Sequence, residues 1–302
     1  MATIAKWAWI ACVLVAVAVV LMRSWDDVVA MFRSMSLPYL AGGVGLTALA
    51  KVGLAENARI AAVRAGVRID FWTAARLYNL SQLGKYLPGS IWQFVGRAAA
   101  YRNLGASYAA IRDALLVESL WIVAGAGVFG LVLTGPGMVA ALVSGSLMPG
   151  LLWWLAAGSL IAALGGVALA LWKRSLIVHF ARICVPSFRA AAAQAFIWLS
   201  LGVSFWVLAH ACGLEVGLQT AVGLFAVAYA VGFLVPFAPA GLGVRDGILT
   251  LGLLPYAPAG EALAVTMLAR MVYLVVDVGL VLLQEPAHTV FARMKHFSAS
   301  DQ

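Results

Sequence analysis

Residues 80–97, LSQLGKYLPGSIWQFVGR, form an apolar stretch that interrupts its own helix at Pro88-Gly89. Proline removes an amide donor and glycine leaves backbone uncovered. Hydrocarbon tolerates that only where the broken helix is buried in protein or lines a cavity. Gln82, Lys85, Tyr86, Ser90, Trp92, Gln93 and Arg97 surround the break, so it is furnished with donors and cations, the pattern of an anion-binding site. Residues 232–246, GFLVPFAPAGLGVRD, repeat the plan: an apolar approach, Pro236 and Pro239, then Gly241 and Gly243, then Arg245 and Asp246. Interrupted segments at corresponding places in two halves point to a repeat-built transporter. Two proline-kinked helices without a ligand are the structural alternative.

Composition sets the class in which such segments make sense. Apolar residues are 64% of the 302 and charged residues 11%, against about 45–50% and about 25% in soluble domains. The chain is therefore read as all-α and polytopic, with about six spanning helices plus two re-entrant broken-helix elements in an inverted repeat. The whole chain, 1–302, is one integral membrane domain. Residues 1–137 form the first repeat, with its re-entrant element at 71–100, and 138–302 the second, with its element at 220–254. The formal charge of +8 is carried largely by loop arginines. In this class it reports orientation and attraction to anionic lipid, and no nucleic-acid partner is expected. Cys12 and Cys212 lie in apolar runs and Cys184 in a basic loop, without metal or disulfide spacing.

Spans are expected at residues 7–22, 37–57, 114–133, 151–172, 191–212 and 261–284. In the second, Lys51 and Glu56 are read as snorkelling to the headgroups. The third is closed by the uncharged turn sequence Thr134-Gly135-Pro136-Gly137. Arg59, Arg64 and Arg68 mark a cytoplasmic loop, as do Lys173, Arg174, Arg182 and Arg189. With re-entrant elements that return to the side they left, both basic loops fall on one side and both termini are cytoplasmic.

Three intramembrane charges stand outside the broken elements: Glu118, Arg270 and Asp277. Arg270 and Asp277 lie about two helical turns apart and share a face. They either pair with neighbours and hold helices together, or Glu118 or Asp277 carries a proton that couples transport to the membrane gradient. His210 reads as an interfacial residue.

Set side by side, QLGKYLPGSIWQFVGR (82–97) and PFAPAGLGVRD (236–246) resemble the paired signatures of the flippase-like transmembrane region of bacterial lysylphosphatidylglycerol synthases and its stand-alone relatives. In that family the second motif is usually proline, two glycines, a residue, glycine, a residue, arginine and glutamate. Here Ala240 replaces one glycine and Asp246 replaces the glutamate.

The resemblance implies movement of a lipid with a charged headgroup between leaflets, with no catalysis by this region and no aminoacyl-transferring domain in this chain. The expected substrate is a phospholipid or polyprenyl-phosphate-linked lipid with an anionic headgroup, in a bacterial cytoplasmic membrane. No cofactor or metal is called for. Stand-alone relatives are associated with cell-envelope polysaccharide pathways, so an envelope glycosyltransferase is the expected protein partner. A non-transporting partner of such an enzyme is the alternative. An enzyme acting on a lipid phosphate is a further one, but it needs a nucleophile, an acid–base pair or a metal cluster near the interface. The four histidines form no such group with the acids in sequence.

Overall fold

The computed structural model describes residues 15, 17–86, 91–143, 178, 183–235 and 239–300, with side chains placed in all but 135–143 and 285–300. The described residues are helical throughout their regular elements: α1 Trp25–Arg33, α2 Leu37–Arg64, α3 Phe71–Gln82, α4 Trp92–Asn103, α5 Tyr108–Val143, α6 Phe188–Ala211, α7 Leu218–Leu234, α8 Val244–Leu253 and α9 Ala259–Ser300. Short 3₁₀ turns at Leu83–Tyr86 and Pro239–Gly241 follow α3 and α7.

Local chemistry explains where the helices start and stop. Asp70 caps α3, its carboxylate accepting from the Thr73 amide at 3.1 Å and from the Thr73 hydroxyl at 2.6 Å. Those two bonds hold the Asp70 carboxyl below its ordinary range. Ser187 caps α6 through the Ala190 amide. Left-handed glycines, Gly66, Gly105 and Gly213, turn the chain just after α2, α4 and α6.

Among the described residues, four helical stretches are long and apolar enough to cross a membrane: Leu37–Arg64, Tyr108–Thr134, Phe188–Ala211 and Ala259–Gln284. The shortest has 24 residues, about 36 Å at 1.5 Å per residue, against a hydrocarbon core of about 30 Å. The protein is thus an integral membrane protein. The expected span at 151–172 lies outside the described residues. Of the one at 7–22, only residues 15 and 17–22 are described, and they are helical.

Two sequence expectations are corrected. Residues 134–137 do not close a span as a turn: α5 runs through them to Val143. Without water to receive freed amides and carbonyls, an apolar environment favours keeping the ladder even across a proline. Thr134 helps by donating its hydroxyl to the Gly130 carbonyl at 2.6 Å. Nor does Lys51 snorkel: its side chain is 1% exposed. Glu56, by contrast, is partly exposed and pairs with Arg59 at 2.7 Å.

Each interrupted segment folds back on itself. In the first, a Cβ added to Gly84 would lie 2.7 Å from the Gln93 amide nitrogen, and one on Gly96 would lie 3.8 Å from Ser81 Cβ. Residues equidistant from the break therefore face one another, and α3 and α4 form an antiparallel helical hairpin. In the second, a Cβ on Gly232 would lie 2.9 Å from Arg245 Cβ, and one on Gly252 would meet the Leu224 side chain at 2.4 Å, so α7 and α8 do the same. The order long helix, hairpin, long helix occurs twice: α2, α3–α4, α5, and then α6, α7–α8, α9.

The core is built on the crossing of α2 and α6, the first long helix of each half. Gly43 and Gly53 admit Leu208 and Ile197 at distances an added Cβ would forbid. Close backbone approach of this kind is how helices associate where lipid provides no hydrophobic drive. Polar links supplement it: the Thr47 and Ser204 hydroxyls lie 2.8 Å apart, Ser204 also donates to the Gly43 carbonyl, and Gln194 donates to Asn57. Trp198, Ile197, Leu201 and Phe205 complete the layer.

Candidate functional site: a cationic cavity between the two hairpin bends

The two 3₁₀ turns pack against each other, and Phe94 and Phe233 meet edge to face at 6.5 Å. The bends of both hairpins thereby close on a cavity of about 160 Å³. Its walls come from α2 (Lys51, Leu54), the first hairpin (Gln82, Lys85, Ile91, Gln93, Phe94), the second (Tyr229, Gly232, Phe233, Gly241, Arg245) and α9 (Tyr273).

Three cations face this space. Lys51 lies with its ammonium 2.7 Å from Asp277 Oδ1 and 3.9 Å above the centre of the Tyr273 ring. Lys85 lies 2.6 Å from Asp277 Oδ2, and its ammonium is 3.4 Å from Gln82 Oε1. Tyr86 donates its hydroxyl to the same Oδ2 at 2.8 Å. One carboxylate on α9 therefore gathers a lysine from α2 and a lysine and a tyrosine from the first hairpin. Arg245, the third cation, is 9% exposed. Among the described residues its guanidinium comes no nearer to a carboxylate than 3.9 Å, from Nε to Asp246 Oδ1. That Nε is buried and finds no hydrogen-bond acceptor there.

Asp246 is otherwise engaged. Its Oδ2 accepts from the Gly243 amide at 3.1 Å and from Arg270 at 2.5 Å. The amide at the start of α8 is thus taken by the helix's own carboxylate. The mirror of this link stands in the first half. Arg97 on α4 is 2% exposed, pairs with Glu118 on α5, and lies over the Tyr78 ring. In each half an ion pair joins the returning hairpin helix to the long helix that follows, with the charges exchanged.

Of the residues singled out in sequence, Gln82, Lys85, Gln93, Gly241 and Arg245 line the cavity. Tyr86, Asp246, Arg270 and Asp277 stand behind them as partners of the lining cations or of one another. Glu118, Arg270 and Asp277 are all in ion pairs. Arg97 does not join the cavity: a buried guanidinium needs a counter-charge, and the one within reach is Glu118 on the far side of α4. Trp92 is 48% exposed and is not among the residues that line the cavity. Gly243 caps α8 at φ 82°, and Pro239 opens the second 3₁₀ turn. Pro88, Gly89, Ser90 and Pro236 lie outside the described residues. Sequence reasoning missed Lys51 and the aromatic residues Tyr229 and Tyr273. The sequence held one usable signal: a lysine and an aspartate, each inside an otherwise apolar span, require partners.

No curated protein matches the chain. The family model for the lysylphosphatidylglycerol synthase TM region matches residues 8–280, which include both hairpins and the cavity between them. The chain belongs to the family of the lysylphosphatidylglycerol synthase transmembrane region.

Proposed function

We propose that this protein is a lipid flippase that moves a lipid with an anionic headgroup between leaflets. The observation that carries the reading is Arg245: a buried guanidinium facing a cavity that already holds two lysines, with its nearest described carboxylate 3.9 Å away and committed to Arg270. A buried cation without close compensation favours an anionic ligand.

The hairpins support the same reading. A helix of 12 residues such as α3 or α4 is about 18 Å long, shorter than the about 30 Å hydrocarbon core. Elements of that length enter and turn back, so a shared polar cavity at their bends lies where a crossing headgroup needs it. We read the two halves as an inverted repeat about an axis in the membrane plane, which matches the distribution of basic loops. The placement that follows is a bacterial cytoplasmic membrane with both termini inside. In this reading the protein is a carrier without chemistry of its own, with a phospholipid or a polyprenyl-phosphate-linked lipid as cargo and an envelope glycosyltransferase as its protein partner.

The test is translocation of labelled lipids in proteoliposomes. Wild type should move anionic lipid, and Arg245→Gln should slow it about tenfold, the worth of one charged contact of about 1.4 kcal/mol, while unfolding near the wild-type temperature. If purified wild type moves none of the anionic lipids offered, the transport reading fails and the role of a non-transporting partner takes its place.

A further inference from the structure

The cavity has a charge balance that its lining alone does not reveal. Lys51 and Lys85 share one carboxylate, Asp277, at 2.7 and 2.6 Å. Arg245 and Arg270 share another, Asp246, at 3.9 and 2.5 Å. Four cations set against two anions leave two formal positive charges around one small buried space. The Tyr273 ring has the Lys51, Lys85 and Arg245 charges at 3.9, 5.3 and 5.5 Å from its centre. A ring face softens such crowding but adds no charge.

We infer that the cavity takes a doubly charged phosphate headgroup, that of a lipid phosphate monoester or of a diphosphate-linked lipid, in preference to a singly charged phosphodiester or a zwitterion. This rests on the transport reading above. Lys85 is the cation placed to change partners. Its side chain is 13% exposed, against 1% for Lys51. When Lys85 turns to the ligand, Asp277 keeps Lys51, and Asp246 keeps Arg270. Lys85 and Arg245 then meet two negative charges, and every charge in the region has one counterpart. A phosphodiester leaves one cation over. A buried charge without its counterpart is what a low-dielectric site disfavours most.

The mouth accounts for an alkyl chain on the phosphate. Ile91 lines the cavity and is 57% exposed, and beside the two bends Leu234 is 65% and Trp92 48% exposed. A tail leaving the headgroup there runs over apolar surface.

The experiment is displacement of a fluorescent phosphatidic acid from the 302-residue protein in detergent at pH 8, above the second ionisation of a phosphate monoester at about 6. Competitors are dioleoyl phosphatidic acid, phosphatidylglycerol, phosphatidylcholine and inorganic phosphate. Phosphatidic acid should compete at about tenfold lower concentration than phosphatidylglycerol, as one additional charged contact predicts, and phosphatidylcholine should not compete. Arg245→Gln should bring the two anionic lipids to equal potency, and Lys85→Gln serves if that variant does not fold. Equal potency in wild type overturns the dianion inference while leaving transport of anionic lipids standing. Inorganic phosphate acting at the concentration of phosphatidic acid overturns the lipid as its source. Absence of binding by either anionic lipid, together with absence of translocation, removes both readings.

Discussion

Lys85 and Asp277 lie 192 residues apart in sequence and 2.6 Å apart in space. Asp277 also holds Lys51 at 2.7 Å, so one carboxylate neutralises charges from two separate elements. Asp277→Asn should therefore cost about 3–5 kcal/mol, because breaking a buried pair strands the remaining charge. Adding Lys51→Met should return part of that loss. Unfolding of the single and double variants in detergent gives the coupling, and simple additivity would contradict the shared carboxylate.

Arg97 and Arg245 end the same kind of motif but sit in different surroundings. Arg97→Gln should destabilise the fold by about 3 kcal/mol and leave the anion affinity of the folded fraction near wild type, because its partner is Glu118 and not the cavity. Arg245→Gln should do the reverse. Thermal unfolding read beside lipid displacement separates the two. A loss of affinity in folded Arg97→Gln would return Arg97 to the site.

Ala240 occupies a left-handed conformation, φ 49° and ψ 30°. A side chain there costs about 1–2 kcal/mol relative to glycine, and glycine gives back about 0.4–1 kcal/mol through its freer unfolded chain. Ala240→Gly should thus raise stability, by less than about 1.5 kcal/mol. A lowered midpoint of unfolding would show that the methyl group packs to more effect than its backbone strain costs.

Gly202 lets α6 approach α7 at backbone distance. A Cβ there would lie 2.6 Å from Val222 Cα, and backbone cannot swing aside as a side chain end can. Gly202→Ala should cost about 1–3 kcal/mol, the range for overpacking. Gly127→Ala, where nothing lies within 4 Å of the added atom, is the control. Equal stability of both variants would remove close packing as the reason for Gly202.

The sequence was most legible where backbone chemistry is local. Prolines and glycines in apolar stretches gave away both hairpins, and the cations beside them, Lys85 and Arg245, proved to face the cavity. Side-chain direction was less legible. Arg97 and Arg245 follow the same kind of break, yet α4 turns Arg97 toward α5, where an acid, Glu118, waits nearly three turns into the helix, while α8 turns Arg245 toward the bend. Lys51 was misjudged because the expected span stopped at residue 57 and left it near an end, whereas α2 runs on to Arg64 and places it at mid-helix, where the headgroups are out of reach and a buried carboxylate is needed. Its carboxylate is on α9, and no local pattern connects them. Tyr229 and Tyr273 look like any aromatic in an apolar run until three charges are seen around one ring.

The wiring of Asp277 bears on how the chain can be taken apart. Both of its ammonium partners belong to the amino-terminal portion, while the aspartate itself belongs to the carboxyl-terminal one. Cutting between residues 143 and 183 leaves one fragment with two stranded cations and the other with a stranded anion, and both with the α2–α6 surface unpartnered. The fragments are thus electrically and sterically complementary. Produced together from separate start codons, they should recover each other and copurify, whereas either produced alone should be cleared by membrane proteases.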